Sequence, residues 1–315
     1  MKKAKVSFDS VIIPQEKKDQ IEAAISQLKY HKLIFEDWGF EEVFEKGTAV
    51  SMIFYGEPGT GKTLMAEAIA NRLEQELLII SPAEIETQVP GGAERNIKRY
   101  FKIASGKMGA PTGETDPRSG EPILGPKKHH VMLFDECDSL ITARGNVGMI
   151  LAGQINTILT ELERFEGVVI FTTNRLGVLD EAIERRLSAK VEFDSPTAEL
   201  REKIWQRMIP KKAPIADDVD LKAISEIELN GGNIKNAVLN AARIAAYSGA
   251  KKIDQGSFLE AIYKEIEARK SFRKAMRKVE ESRGERISVS DLIKGRDGLE
   301  KKKEKVMVKG DKKEK

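Results

Sequence analysis

The feature that most constrains the fold of this chain is the glycine-rich stretch GEPGTGKT at residues 56–63. It follows an apolar run at 50–55 and opens a segment at 62–73 that has a mainly apolar face at helical spacing. A glycine turn between a buried strand and a helix lets backbone N–H groups curl around phosphate oxygens. We therefore predict a phosphate-binding loop, with a chance glycine-rich turn as the alternative.

The predicted loop assigns separate roles to its residues. Lys62 is expected to reach the β- and γ-phosphates of a nucleotide, and Thr63 is expected to bind Mg²⁺ through its hydroxyl. The full set of residues predicted to contact the nucleotide here is Pro58, Gly59, Thr60, Gly61, Lys62, Thr63 and Leu64.

A second apolar run is followed directly by acids, in the stretch HVMLFDECD at residues 130–138. Because ligands of open parallel sheets bind at the carboxyl ends of the strands, Asp135 and Glu136 are expected to face the glycine loop. Asp135 would hold Mg²⁺, directly or through water, and Glu136 would orient and polarise an attacking water. The alternative is a solvated acidic helix cap, a role that Asp138 could fill alone. Cys137 is interpreted as a small filler rather than a nucleophile.

Two further motifs place polar groups after apolar segments. The run VVIFTTN ends at Asn174, whose amide is expected to hydrogen-bond the attacking water and the γ-phosphate, although an asparagine at a strand end is often only a turn former. Arg185 and Arg186 come at the end of a predicted helix. They either complement the helix dipole or act as arginine fingers on the nucleotide of a neighbouring subunit.

Short apolar strands alternate with helices through the first two thirds of the chain, a pattern typical of a parallel sheet covered on both faces. The predicted strands are 50–55, 77–80, 131–134, 168–172 and 191–193, and the helices between them are 62–73, 94–104 and 150–164. The polar, Gly- and Pro-rich segment 106–128 is predicted to be a surface loop insertion. Four more helical segments follow Ser195 and Pro196, at 199–209, 221–228, 234–247 and 258–269.

These patterns predict three parts. An α/β nucleotide-binding domain is expected at 1–195, a small all-helical domain at 196–270, and a basic helix with a mobile charged tail at 271–315. The charge is concentrated at the C-terminal end, where residues 264–315 carry 19 Lys/Arg and 11 Asp/Glu. The last stretch, 299–315, has too few apolar residues to join a core.

Composition excludes several classes of protein. One cysteine permits no internal disulfide and fits a reducing compartment. The first residues carry lysines without an apolar segment behind them, and no apolar run approaches the length of a membrane span. We therefore expect a soluble, cytoplasmic protein that does not bind membranes. The near balance of 53 Lys/Arg and 50 Asp/Glu argues against a protein that coats nucleic acid.

The glycine loop, the DE pair, FTTN and the paired arginines, in this order and spacing, resemble the AAA clade of the AAA+ ATPases. The stretches EDWGF, ELERFEG, LDEAIERRL and GGNIKNAVLNAARIAA are further similar to single-domain AAA ATPases of bacteria and plastids, including those encoded with extracellular contractile injection systems. The resemblance spans roughly residues 7–268. It implies a sheet with strand order 5-1-4-3-2, a helical lid domain, ATP and Mg²⁺ as ligands, and a homo-oligomer, typically a hexamer. It also implies that Gly231 and Gly232 approach the adenine or ribose.

One segment departs from the resemblance. Family members usually carry a Lys-aromatic-hydrophobic-Gly loop after the second strand, which grips a translocated polypeptide. The matching residues here are 87–91, where Val89 stands in place of the aromatic residue and Pro90 stiffens the loop. This departure argues against threading by aromatic grip.

The sequence leaves three functions open. The first is an Mg²⁺-dependent ATPase that works as a ring and remodels or assembles a protein partner. The second is a motor or loader linked to nucleic acid, which only the basic tail supports, without interleaved aromatic residues or a recognisable DNA-binding motif. The third is an assembly factor that does not thread polypeptide and uses ATP to stabilise a ring. The intact Glu136 and the arginines favour hydrolysis.

Overall fold

A computed structural model describes residues 4–30, 32–43, 49–87, 89–116, 119, 121–138, 149–174 and 181–267. These residues form two compact units. The first, which we call the sheet unit, contains the described residues up to Leu200 together with Asn230–Gly232. The second, the helical unit, contains Arg201–Leu229 and the described residues from Asn233 onward.

Seven strands are present in the described residues, five of which form one parallel sheet. In chain order they are β1 (Val50–Tyr55), β2 (Glu76–Ile80), β3 (Pro111–Thr115), β4 (Pro122–Leu124), β5 (His130–Phe134), β6 (Val168–Thr173) and β7 (Ala189–Glu192). The parallel sheet has the order β2-β5-β6-β1-β7. Counting only these five strands and reading from the β7 edge, the order is 5-1-4-3-2, which confirms the expectation for the fold.

The sheet is covered on both faces, so its three central strands are mostly apolar. All residues of β5 and β6 are buried. Successive side chains of a strand point to opposite faces, and β5 shows this clearly. Val131 and Leu133 join one core cluster, whereas Met132 and Phe134 join the other.

The helices of the sheet unit divide between these two cores. Helices α1 (Gln15–Lys29) and α2 (Lys62–Arg72) bury residues such as Ile21 and Met65 in one cluster. Helices α4 (Gly92–Ala104) and α5 (Met149–Leu162) bury residues such as Ile97 and Ile155 in the other. The short α-helices described in this unit are α3 (Pro82–Ile85) and α6 (Glu181–Glu184), and the chain before β1 also forms 3-10 helices at Phe8–Ser10 and Phe40–Glu42 and a π-helix at Lys32–Asp37.

The segment predicted as a loop insertion, 106–128, contains regular structure. Strands β3 and β4 pair antiparallel as a hairpin, and every residue of both strands is exposed. Because neither face of the hairpin is buried, its sequence lacks the apolar alternation that marks a strand in a core. That absence explains why the periodicity of the sequence did not reveal it.

The helical unit has its own core. Its elements are the greater part of α7 (Ala198–Met208), α8 (Leu221–Ser225), most of α9 (Gly231–Tyr247) and α10 (Gln255–Glu267). Trp205 is fully buried and meets Phe258 edge-to-face, with ring centroids 5.8 Å apart. The predicted helix 221–228 ends earlier, at Ser225, and α9 begins at Gly231 rather than at 234. None of the described helices is both long enough and apolar enough to span a membrane.

Candidate functional site

The glycine loop lies between β1 and α2, at the carboxyl edge of the sheet. Gly56 has φ +137°, and a Cβ at this position would lie 2.2 Å from the backbone oxygen of Phe193. Gly61 has φ +105° with open space around the Cβ position, directly before Lys62 begins α2. Gly56 is therefore required for close packing of the loop against Phe193, and Gly61 for the backbone turn into the helix.

Lys62 lies across the loop with its ammonium group almost buried. Its Nζ donates hydrogen bonds to the backbone oxygens of Gly56 (2.6 Å) and Glu57 (2.9 Å), and to Oδ1 of Asn174 (3.0 Å). Burial lowers the pKa of the Lys62 ammonium, and the carboxylates of Asp135, Asp138 and Glu136 oppose this shift. The structure therefore joins the glycine loop to the end of β6, whereas the sequence predicted only that Asn174 bonds the attacking water and the γ-phosphate.

Thr63 and Asp135 meet across the site. The Thr63 hydroxyl donates to Oδ1 of Asp135 at 3.1 Å. A hydroxyl and a carboxylate are hard oxygen ligands, and Mg²⁺ in nucleotide sites is bound by one or two such protein groups with phosphates and water. The two residues predicted to bind Mg²⁺ thus lie close together, and their chemistry fits that ion.

The residue after Asp135 has an unusual backbone. Glu136 has φ +54°, in the left-handed region, and its side chain is exposed. Its amide donates to the hydroxyl of Thr172 at 2.9 Å. A left-handed non-glycine residue costs about 1–3 kcal/mol and is enriched at functional sites. The chain leaves strand geometry at this turn. The side chains of Asp135 and Glu136 are therefore not bound to the alternation between opposite faces that successive residues of a regular strand show.

The rest of the acidic turn is tied to the end of β6. Asp138 accepts a hydrogen bond from the amide of Asn174 at 3.2 Å and another from the hydroxyl of Thr173. Cys137 is fully buried, and its thiol donates to the backbone oxygen of Thr172 at 3.2 Å. Burial raises the pKa of this thiol, so Cys137 is poorly suited to act as a nucleophile.

Residues from the start of α9 also reach the glycine loop. The amide of Gly232 donates to the backbone oxygen of Gly59 at 3.0 Å, and Nδ2 of Asn230 donates to that of Pro58 at 2.8 Å. A Cβ on Gly232 would lie 3.3 Å from Cα of Gly59. The structure therefore places Gly231 and Gly232 beside the loop. Asn230 was not predicted from the sequence, where its one signal is a turn-forming side chain before two glycines.

Three predicted residues lie at the outer side of these loops. Leu64 is 39% exposed, and the Thr60 hydroxyl donates to the backbone oxygen of Glu57 at 2.8 Å. Val89 lies just before α4 and is 56% exposed. A large apolar side chain at this position is therefore available to another molecule.

Arg185 and Arg186 lie near the amino end of β1, at the edge of the sheet opposite the glycine loop. They follow α6 in a turn, where the backbone oxygen of Arg186 accepts from the Ser51 hydroxyl near the start of β1. From Ser51 to Gly56 a strand advances about 16 Å, which exceeds the reach of an arginine side chain. The structure therefore does not bring these arginines to the glycine loop of their own chain.

Both arginines are paired with acids. Arg185 bonds Glu181, one turn earlier, and Arg186 bonds Glu163. Next to them is an open cleft of about 320 Å³. The lining residues of this cleft are Gln27, Ala49, Ser51, Leu162, Glu163, Arg185, Arg186, Leu187 and Ser188.

Comparisons with known proteins identify the sheet unit. Residues 52–195 match the model of the AAA family, described as "ATPase family associated with various cellular activities". This region includes most of β1, the glycine loop, the acidic turn, Asn174 and both arginines.

Three similar proteins are archaeal. The chain is 31% identical over 204 residues to a cell division cycle protein 48 homolog of Archaeoglobus fulgidus, covering 62% of this chain and 24% of that protein. It is 28% identical over 227 residues to the proteasome-activating nucleotidase of Methanocella arvoryzae, covering 68% and 49% respectively. It is 30% identical over 250 residues to a putative 26S proteasome regulatory subunit homolog of Methanocaldococcus jannaschii, covering 76% and 58%.

The chain thus spans between about a quarter and three fifths of the length of these relatives. The similarity to single-domain ATPases of contractile injection systems stays a prediction. With the parallel sheet, the strand order and the matched region in agreement, residues 52–195 of this chain form an ATPase domain of the AAA family.

Proposed function

We propose that this chain hydrolyses ATP with Mg²⁺ at the carboxyl edge of its sheet. The observation that supports this most directly is the meeting of three separate segments there. Lys62 of the glycine loop bonds Asn174 at the end of β6, and Thr63 bonds Asp135 at the end of β5. Segments far apart in the sequence thus bring a cation, a hydroxyl, two acids and an amide to one place.

Each group has a role that follows from its position. Lys62 releases the loop carbonyls and binds phosphate oxygens instead, since among the described residues its ammonium group donates to two backbone oxygens and one amide oxygen. The exposed carboxylate of Glu136 orients and polarises the attacking water, and the Asn174 amide positions the same water and the γ-phosphate. Thr63 and Asp135 hold Mg²⁺, which supplies positive charge against the phosphate oxygens.

We further propose that the active site is completed by a neighbouring copy of the chain. Because Arg185 and Arg186 lie at the opposite edge of the sheet from the glycine loop, a nucleotide that they contact would be bound by another subunit. A ring of identical subunits, most simply a hexamer, meets this requirement at every site. Gly231 and Gly232 would border the adenine or ribose of the bound nucleotide, as their contact with Gly59 suggests.

The partner we propose is a protein that the ring remodels or assembles. The support is the similarity to proteins named as a proteasome-activating nucleotidase and a putative 26S proteasome regulatory subunit homolog. The second candidate is an assembly factor that does not thread polypeptide. It is favoured by the exposed Val89, which stands where an aromatic residue would grip a chain. A nucleic-acid motor has only the charge of the C-terminal tail, outside the described residues, in its favour.

The catalytic assignment is tested by ATP turnover and nucleotide binding in three variants. Glu136→Gln should bind ATP normally and lose turnover, because the phosphate and Mg²⁺ ligands remain while the carboxylate that polarises water is gone. Lys62→Ala should lose ATP binding itself. Glu74→Gln is the matched control, since Glu74 is also an exposed glutamate with positive φ, at the far end of α2. Near-normal turnover of Glu136→Gln would refute the proposed role of this acid.

The partner is tested by measuring turnover alone, with DNA or RNA, and with candidate proteins encoded near this chain. Stimulation by a protein and not by nucleic acid supports the proposal. Val89→Asp then distinguishes remodelling of the partner from assembly without threading. The substitution places a charge on the exposed loop and leaves the nucleotide site unchanged. Loss of stimulation with unchanged basal turnover indicates contact between the loop and the partner. Unchanged stimulation argues for the assembly factor.

A further inference from the structure

Thr172 lies where β6 ends beside the acidic turn, and its side chain is almost fully buried, with 1% exposed. Its hydroxyl donates to Oδ1 of Asp135 at 2.5 Å and accepts from the amide of Glu136 at 2.9 Å. Its backbone oxygen accepts from the amide of Cys137 at 2.9 Å. One residue of a neighbouring strand thus holds three consecutive residues of the turn.

The two bonds of the hydroxyl act on two different properties of the turn. The bond to Oδ1 limits rotation of the Asp135 carboxylate, which also receives the Thr63 hydroxyl. Glu136 is in the left-handed conformation, where the regular pairing of a strand is interrupted. The Thr172 hydroxyl provides the Glu136 amide with an acceptor there. The first bond fixes a proposed Mg²⁺ ligand, and the second fixes the backbone from which the proposed catalytic carboxylate extends.

We propose that Thr172 is a positioning residue that sets the geometry of Asp135 and Glu136 together. This inference rests on the proposed function, in which these two acids bind Mg²⁺ and polarise water. A threonine hydroxyl is suited to the task because it can donate one hydrogen bond and accept another at the same time. Valine has the same shape and neither capacity, and alanine removes the hydroxyl without placing a methyl group against Asp135.

The neighbouring residue, Thr173, makes a bond of a different kind from those of Thr172. Thr173 also bonds the turn, but its partner is Asp138, beyond both acids. An ordinary buried threonine would need only one partner for its hydroxyl, and a carbonyl of its own chain commonly serves. Thr157 of α5, which is half-buried, has a single bond of this kind, with its hydroxyl donating to the backbone oxygen of Gly153 at 2.9 Å. Thr157→Val is therefore the matched control.

The test compares Thr172→Val, Thr172→Ala, Thr172→Ser and Thr157→Val in the full chain. Three quantities are measured: kcat for ATP, the affinity for a fluorescent ATP analogue in EDTA, and the Mg²⁺ concentration that half-saturates the change in that analogue's fluorescence. Removing the hydroxyl should lower kcat and raise the required Mg²⁺ concentration by about 10- to 100-fold, the usual effect of losing a partner of a metal ligand. Binding in EDTA should be unchanged, because the glycine loop is not altered.

Thr172→Ser should restore both quantities to within about threefold of the unmodified chain, because its hydroxyl can make the same two bonds. A purely structural role predicts instead a lower melting temperature with unchanged Mg²⁺ dependence. That outcome, or equal kcat in Thr172→Ala and the unmodified chain, would overturn the proposal. If the unmodified chain and Thr157→Val both lack turnover, the proposed function itself fails, whereas the Mg²⁺ titration still decides the role of Thr172.

Discussion

A mixture of two inactive variants should recover ATP turnover if the site is shared between subunits. One variant carries Arg185→Ala and Arg186→Ala, and the other carries Glu136→Gln. Each lacks one half of the proposed site and retains the other. In a mixed assembly, an interface with intact arginines on one side and an intact glutamate on the other is complete, although neither variant can form such an interface alone.

The free-energy cost of releasing the arginines can be compared with the gain at the neighbour's nucleotide. Each arginine must leave an acid, Glu181 or Glu163, and these side chains are 76% and 41% exposed. Exposed ion pairs contribute only about 0–1 kcal/mol, so release costs little. An arginine finger accelerates phosphoryl transfer by about 10³–10⁵-fold, equivalent to about 4–7 kcal/mol. The gain at the neighbour's nucleotide therefore exceeds the loss of the pairs.

The expected recovery can be estimated from random assembly. In an equal mixture, about a quarter of head-to-tail interfaces join the two intact halves, so turnover should approach about a quarter of the normal value per site. The assay is steady-state phosphate release across mixing ratios, with co-assembly verified by pull-down of differently tagged chains. Lys190→Ala is the control, because it removes a cation of the same surface that pairs with Glu184. A mixture that stays inactive despite proven co-assembly would refute the shared site, and the arginines would then serve only their own helix.

Three further predictions concern stability and reactivity. Gly56→Ala should destabilise the sheet unit by about 2–6 kcal/mol in urea unfolding, because the methyl group would overlap the Phe193 oxygen and φ is unfavourable. Gly113→Ala, in the same unit with positive φ and open space, is the control for the backbone part, and an equal loss in both variants would contradict the steric explanation. Trp205→Ala should cost about 3–5 kcal/mol by leaving a cavity, and a shift under 1 kcal/mol in the melting analysis would argue against its buried position. Cys137 should resist thiol reagents until the chain unfolds, since burial raises its pKa and lowers its thiolate fraction; rapid labelling of folded protein at pH 8 would show that the acidic turn opens.

The sequence predicted those parts of the fold that depend on regular patterns. The runs before Gly56 and before Asp135 are mostly apolar because both faces of the sheet are covered, so the polar residues that follow the strand ends are easily recognised. That Lys62, Thr63, Asp135 and Asn174 would meet follows from parallel strands ending at one edge. The strand order came from the family resemblance rather than from periodicity.

Other features depend on contacts that a linear pattern does not contain. Helix α1 was not predicted, because its sequence, QEKKDQIEAAISQLK, is mostly polar and buries only Ile21 and Ile25. The role of Thr172 and the left-handed backbone of Glu136 arise from pairing between β5 and β6, at residues 36 positions apart. The last strand was predicted at 191–193 but begins at Ala189. Its first two residues are small and charged, so the apolar pattern that predicts a strand is lacking there.

The position of the two arginines has a consequence for the symmetry of any assembly. A contact that joins the arginine edge of one chain to the glycine-loop edge of the next uses two different surfaces, so it is heterologous rather than twofold. A dimer built on it has one complete site and leaves one glycine loop and one arginine pair without a counterpart. Every open chain of subunits has the same defect at its two ends, and only a closed ring completes all sites. Closure itself, and not merely association, is therefore the step that makes every subunit equivalent.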